Sequence, residues 1–239
     1  MTKINAAYEE AYFQVYGGSR SAYRDPILKR WFRLRLVNRF ATGGRLLELG
    51  CAYGYLLQAL EQRFECEGTD ISEHAIQVAR TVVSRASLEQ APIDVSLAGR
   101  SPETYDVIVA FDILEHLDRQ ELPEIAEGIA RLLRPGGVLL VSVPNWDSIG
   151  RRIKGRGWFG FRDETHTALL EPREWAGLLG RHLRVQSVGG DGLWDAPYLP
   201  LLPRSLQKAL FASTSLLAIV SGGRFPKLLS ENLVIACVK

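Results

Sequence analysis

Residues 46–60, "LLELGCAYGYLLQAL", decide the fold: an apolar run that carries an acid, Glu48, gives way to a bend holding Gly50 and Gly54, and a second apolar run resumes at Tyr55. The first run reads as a buried β-strand and the second as the opening of a helix, so the bend is a strand-to-helix turn. Glycine at 50 and 54 lets the backbone turn sharply and come close to a ligand. Outward from this point, short β-rich runs alternate with helical stretches. The further strands are "ECEGTD", "ASLE", "YDVIVAF", "GVLLVSVP", "LRVQSVG" and "NLVIACVK", and residues 72–84 and 122–133 are helices long enough to cross back over a sheet. Upstream, residues 5–15 read as an amphipathic helix, and Pro26 is expected to open a second one that runs to Phe40. The expected fold is α/β: a doubly wound, mostly parallel seven-stranded sheet with helices on both faces. In "LLRPGGVLLVSVPN" a helix ends, Pro135-Gly136-Gly137 makes a tight turn and a buried strand follows.

Composition narrows the function classes. With 239 residues, 46% of them apolar, the chain can bury one sizeable core, and a single domain is expected. Its parts are residues 1–40 as a helical lid, 41–193 as the ligand-binding core, 194–228 as a helical cap insertion and 229–239 as the last strand. Net charge is +2 from 29 basic and 27 acidic residues, which does not favour a nucleic-acid partner. Cys51, Cys66 and Cys237 are far apart, odd in number and without a C-x-x-C pair, which suits a reducing cytoplasm and no zinc site. The first residues lack the basic-then-apolar pattern of a secretory signal. The apolar stretch 209–220 contains three hydroxyls and falls short of the roughly 20 residues that a spanning helix needs.

Ligands of such sheets bind beyond the carboxyl ends of the strands, where strand order reverses. Asp70, in "GTDIS", follows Gly50 by 20 residues, the distance at which an acid on the neighbouring strand reaches a ribose hydroxyl pair. The ligand therefore carries a ribose. A dinucleotide fingerprint would place glycines at 50, 52 and 55, but the chain has Gly50, Ala52 and Tyr55 there, with Gly54 shifted by one. Glu48, pointing into the bend, would repel a pyrophosphate and suit a cationic amino group.

At these residues the chain resembles the class I S-adenosylmethionine-dependent methyltransferases, whose first motif is E/D-x-G-x-G-x-G. "ELGCAYG" matches three of its four marked positions, Ala52 standing where the middle glycine is usual. "GTDIS", "YDVIVAFDILEHL" and "LLRPGGVLLVSVPN" follow in the family's order, and "DETHTALLEPREWAGLL" is similar to the segment after the fifth strand in its quinone-biosynthesis and glycan-associated small-molecule branch. The resemblance covers roughly residues 45–181. It implies S-adenosyl-L-methionine as cofactor, held by Glu48, Gly50, Cys51, Ala52, Gly54 and Tyr55 of the bend and by Asp70 and Ile71 at the ribose. Ser87 and Leu88 would lie at the adenine, and Phe111 and Asp112 on the methionine side.

Methyl transfer from a sulfonium asks the protein to align an acceptor and, where the acceptor needs it, to take a proton. His116, in "DILEHL", follows the fourth strand; His166, in "DETHTALLEP", precedes a helix opened by Pro172. Each is a candidate base, and each has a bland alternative in a turn cap or a backbone hydrogen bond. Asp112, Glu115 and His116, spaced i, i+3, i+4, would share one face of a helical turn and could hold a divalent cation, although no metal is expected. The acceptor is expected to be a small molecule, apolar or lipid-linked, methylated on oxygen rather than nitrogen. Residues 194–225, together with Trp158, Phe159 and Phe161, read as an apolar cap over it, as a helix pair on the sheet edge, or as a surface touching a membrane with help from Arg204, Lys208, Arg224 and Lys227. The N-terminal aromatics Tyr12, Phe13 and Tyr16 read as a lid over the cofactor. A nicotinamide oxidoreductase and a non-catalytic ligand-binding protein of the same fold are the alternatives.

Overall fold

The computed structural model describes residues 27–239. The expected lid residues Tyr12, Phe13 and Tyr16 lie outside them. In chain order the elements are α1 (Ile27–Phe40), β1 (Gly44–Leu49), α2 (Tyr55–Leu60), β2 (Phe64–Asp70), α3 (Glu73–Val82), β3 (Ser87–Gln90), α4 (Ile93–Ala98) and β4 (Tyr105–Phe111). They continue as α5 (Leu122–Leu132), β5 (Leu133–Pro144), α6 (Ile149–Lys154), α7 (Phe159–Arg162), α8 (Pro172–Leu179), β6 (Arg184–Gly190), α9 (Arg204–Val220) and β7 (Asn232–Val238). The strands form one seven-stranded sheet in the order β3-β2-β1-β4-β5-β7-β6, and strand order reverses between β1 and β4. β1 pairs parallel with β2 and β4, whereas β7 runs antiparallel between β5 and β6.

Side-chain alternation along the strands builds two cores. Leu47, Ile108, Leu139 and Ile235 point to the face covered by α4, α5 and α8, where Trp175 and Leu179 are buried. Leu46, Val107, Leu140 and Val234 point to the other face, under α1, α2 and α9. Period-2 alternation in which both sides are apolar is what a sheet covered on both faces requires. Helix starts follow the expected chemistry: Ser72 caps α3 by accepting from the Ala75 amide, and Pro172 opens α8 inside a capping box formed by Glu171 and Glu174.

Two expectations change. Pro135-Gly136-Gly137 makes no loop, because β5 leaves α5 directly and the three residues sit in a bulge: Tyr105 pairs with Leu133, but Val107 already pairs with Val138. The freed backbone groups are taken by the end of β7, with the Gly136 amide donating to Lys239 O at 3.1 Å and the Lys239 amide to Gly137 O at 3.0 Å. The insertion before β7 holds one long helix, α9, rather than a helix pair, and it rests on α1: Ala218 is buried with Phe32 and Leu36, and Arg39 Nη1 donates to Gly222 O at 2.7 Å. Trp158 and Tyr198 belong to no exposed cap. Both are buried on Glu231, which accepts from Trp158 Nε1 at 2.8 Å and from the Tyr198 hydroxyl at 2.5 Å.

Candidate cofactor and acceptor site

The bend between β1 and α2 is held by its own neighbours. The Gly50 and Cys51 amides both donate to Thr69 O, at 2.8 and 2.9 Å, fastening the bend to the end of β2. Gly50 has φ 71°, and a Cβ there would lie 2.7 Å from Ile113 Cγ1, so the glycine admits the side chain after β4 as well as the backbone conformation. Gly54, at φ 73°, lies so that a Cβ would meet Val83 Cγ1 at 3.0 Å. Ala52 also adopts a positive φ, 45°, with the smallest side chain that strains there. Glu48 is buried on the α1–α2 side of β1, and the Cys51 thiol is pushed well up by burial, then by Asp70 and Glu48, so it stays a neutral thiol. Tyr55 opens α2, and Tyr53 beside it shares a hydrogen bond with His74 at 3.1 Å.

Asp70 ends β2 and is engaged on both oxygens: Oδ2 accepts from the Ala52 amide at 2.8 Å and Oδ1 from the Ser72 amide at 2.9 Å. Burial raises its pKa, and those amides, with Ile71, pull it back down. Each carboxylate oxygen keeps a second lone pair for a ligand hydroxyl. The register of β3 shifts the adenine expectation. Ser87 pairs with Glu67 and Leu88 with Gly68, short of the carboxyl end, while Gln90 lies level with Asp70 and the Ala91 amide donates to Asp70 O at 3.0 Å. Leu88 packs against the α1–α2 core instead.

Asp112, one residue beyond β4, is a junction. It adopts φ 57°, an uncommon backbone for a non-glycine residue, and its Oδ2 is bound by Arg33 Nη2 at 2.8 Å and by Lys29 Nζ, both from α1. Oδ1 accepts from Ser142 Oγ at 2.8 Å and from Asn232 Nδ2 at 3.4 Å. Burial opposes its charge, but Lys29 and Arg33 outweigh that and hold the carboxyl well below the ordinary range. Asp191, which receives Asn232 Nδ2 at 3.0 Å and Trp194 Nε1 at 2.8 Å, is pushed by burial up to about 7. Arg33 also lies over the Phe111 ring, 5.4 Å from its centre.

The turn Leu114–His116 brings the two histidines together, their ring centres 4.7 Å apart. Thr165 Oγ1 donates to Asp163 Oδ1 at 2.5 Å, so it accepts from His116 Nδ1 at 2.8 Å, which leaves His116 Nε2 as the acceptor nitrogen. By the same logic His166 Nδ1 donates to Gly160 O at 2.9 Å, and its Nε2 lies 3.8 Å from Asp163 Oδ2. Burial and the neighbouring His166 lower His116 to about 4. Glu115 is buried with Oε2 unpartnered, and burial followed by Asp112 raises its pKa well above the ordinary value. The triad Asp112, Glu115, His116 does not form, because the left-handed Asp112 turns toward α1. Among the described residues, Glu115, His116 and His166 instead place one ligand-capable atom each within 4.8 Å of one another. Gly160, which receives His166 Nδ1, lies between Phe159 and Phe161; Phe161 meets Trp146 edge to face at 5.9 Å, and Phe159 and Trp194 are tilted at 4.7 Å.

The donor set fits S-adenosylmethionine. Acids at Glu48 and Asp70 suit an ammonium and a ribose diol, and the cations Lys29 and Arg33 beside Asp112 suit a carboxylate. The two cations were not foreseen, although their i, i+4 spacing on a helix lacking any acid was a visible signal.

A family model described as a methyltransferase domain matches residues 21–182. Among curated proteins, the ubiquinone biosynthesis O-methyltransferase of Idiomarina loihiensis is 30% identical over 147 residues, 55% of this chain and 58% of that one. The protein of that name from Burkholderia orbicola is 33% identical over 108 residues, 44% of this chain and 46% of its own. The chain spans about half the length of the curated relatives it matches. A SAM-dependent methyltransferase from Archaeoglobus fulgidus superposes with a TM-score of 0.66 at 17% identity, covering 96% of this chain and 98% of that one. The N-methyltransferase NodS of Bradyrhizobium japonicum, in complex with S-adenosyl-L-homocysteine, superposes at 0.62 with 16% identity over 96% and 97% of the chains. At those identities the likeness is one of fold. Family match and sheet order agree with the bend and its acids: the chain belongs to the class I S-adenosylmethionine-dependent methyltransferases, with S-adenosylmethionine as its methyl donor.

Proposed function

We propose that the chain methylates a hydroxyl oxygen of a small aromatic acceptor seated beside the Leu114–His116 turn and residues 158–166, with His116 taking the hydroxyl proton. The observation that carries this reading is the chain His116 Nδ1–Thr165 Oγ1–Asp163, which fixes one tautomer and aims the lone pair at Nε2. Asp163, lowered by its Thr165 bonds against the effect of burial, stays ionised to steady the imidazolium as it forms. When bound, S-adenosylmethionine supplies a methyl group already activated on its sulfonium. Glu48 holds the cofactor's ammonium, Lys29 and Arg33 its carboxylate, Asp70 its ribose, and Gln90 with Ala91 the adenine edge. Phe159, Phe161, Trp146 and Trp194 favour a flat apolar ring, and the ubiquinone-biosynthesis names of the curated relatives support oxygen as the atom methylated.

Radiolabelled methyl transfer to matched phenol and aniline panels tests the reading. Phenols are methylated in preference. His116→Ala lowers kcat by about 10² to 10⁴ while S-adenosylhomocysteine affinity is unchanged, because a proton acceptor acts on turnover and not on cofactor binding. Unaltered kcat in that variant, or a preference for anilines, refutes the proposal. Turnover lost to a chelator and restored by magnesium or manganese would reassign Glu115, His116 and His166 to a metal.

A further inference from the structure

We propose that the outer face of α9, with the arginine cavity at its C-terminal end, docks this protein on an anionic phospholipid bilayer. A helix that only packs on its own protein turns its apolar side inward. α9 does pack Phe211, Ala218 and Ile219 inward, but it also carries a second apolar side that faces out. The buried side of α9 is Gln207, Ser215 and Ala218, while Leu206, Leu210, Leu217 and Val220 stand 53%, 53%, 57% and 74% exposed on the outer side. Leu201, just before the helix, is 96% exposed and continues the same surface. No helix among the described residues is long and apolar enough to cross a membrane. An apolar stripe of this length instead lies in the plane of the interface, its side chains entering the boundary between headgroups and acyl chains.

Charge selects the partner. Residues 196–230 contain no Asp or Glu but include Arg204, Lys208, Arg224 and Lys227, and residues 26–47, which include α1 beneath, are likewise without an acid. The whole chain is nearly balanced, so these two stretches are richer in cations than the rest. Arg35, Arg39 and Arg224, with Gln186 and Ser221, line a cavity of about 590 Å³ where α1, α9 and the edge strand β6 meet. Among the described residues no carboxylate pairs with Arg35, Arg224, Arg204 or Lys208. A lipid phosphate in that cavity would supply the missing anion while the adjoining leucines enter the apolar layer. A second copy of the chain would bring the same cations face to face, which disfavours a dimer through this surface.

The test is co-sedimentation of the full chain with phosphatidylcholine vesicles, with and without phosphatidylglycerol. Binding requires phosphatidylglycerol and weakens with added salt. Each basic residue at an anionic leaflet multiplies affinity roughly fivefold, so the reversal Arg35→Glu with Arg224→Glu lowers partitioning by about 30-fold or more. Leu210→Asp with Leu217→Asp abolishes it. Both double variants keep the parent's circular dichroism and S-adenosylhomocysteine affinity, which separates loss of docking from loss of fold. The proposal is overturned by equal binding to neutral vesicles or by no binding to anionic ones. It is equally overturned by undiminished binding of the charge-reversed variant, by a dimer that the leucine variant dissociates, or by inorganic phosphate raising Tm in a chain that ignores vesicles.

Discussion

Replacing Gly50 by alanine tests how tightly the β1 bend and the turn after β4 are fitted. At φ 71° an alanine occupies the left-handed region, which costs about 1 to 2 kcal/mol. Its Cβ would also lie 2.7 Å from Ile113 Cγ1 and 2.8 Å from Ile113 Cδ1, and forcing a branched side chain aside adds about 1 to 3 kcal/mol. Gly50→Ala is therefore expected to destabilise by about 2 to 5 kcal/mol in urea unfolding, and to weaken S-adenosylhomocysteine binding because the bend moves. Ile113→Ala alone costs about 2 kcal/mol as a partly buried truncation, but it deletes the two atoms that the new methyl would strike. The double variant should then be more stable than the two losses added together, by about 1 to 3 kcal/mol, leaving the backbone cost in place. Losses that add to within about 0.5 kcal/mol would refute the close approach on which the reasoning rests.

Asp70→Ala should weaken S-adenosylhomocysteine by about 2 to 3 kcal/mol in titration calorimetry, since hydrogen bonds to a charged group are worth roughly 1.5 kcal/mol or more each; an unchanged affinity would remove the ribose from Asp70. Because Asp112 is depressed in the fold, its contribution is present above the ordinary carboxylate range and lost as pH falls toward the folded value. Arg33→Met should therefore lower Tm at neutral pH, the parent and variant curves converging in acid, and a constant offset would argue against this linkage. His116 is lowered to about 4, so between about 6.5 and 4 the unfolded chain takes up a proton that the folded chain declines, and stability falls as pH drops through that window. His116→Gln should flatten that part of the Tm profile; a slope that persists would place the titrating group elsewhere.

The bend, Asp70 and the alternation of strands with crossover helices were legible because each is local: a short stretch carries its own turn chemistry or its own period. The register of β3 was not, since a four-residue strand with little burial has no alternation to fix it; Ser87 and Leu88 are read at the adenine, while Gln90 stands level with Asp70. The bulge at Pro135–Gly137 read as a turn because its stabilising partner, Lys239, is at the far end of the chain. His116 and His166 are separate candidates in the sequence, and their ring contact depends on a loop whose course no spacing encodes. The i, i+3, i+4 spacing of Asp112, Glu115 and His116 suggests one helical face; Asp112 instead adopts a positive φ and meets cations from α1 and side chains of β5 and β7. The leucines of α9 left a cap, a packed helix pair and a membrane-facing surface open, because the sequence shows amphipathicity without showing which side meets the protein.

α1 carries Arg39 at the arginine cavity near one end and Lys29 at Asp112 near the other, about 15 Å apart at the rise of an α-helix. α9 rests on that helix, so the insertion and the Asp112 junction are mounted on one helix. Grafting residues 194–228 onto a related methyltransferase would strand the graft without its seat unless α1 travelled with it. The two segments form one exchangeable cassette, although six of the seven strands separate them in sequence.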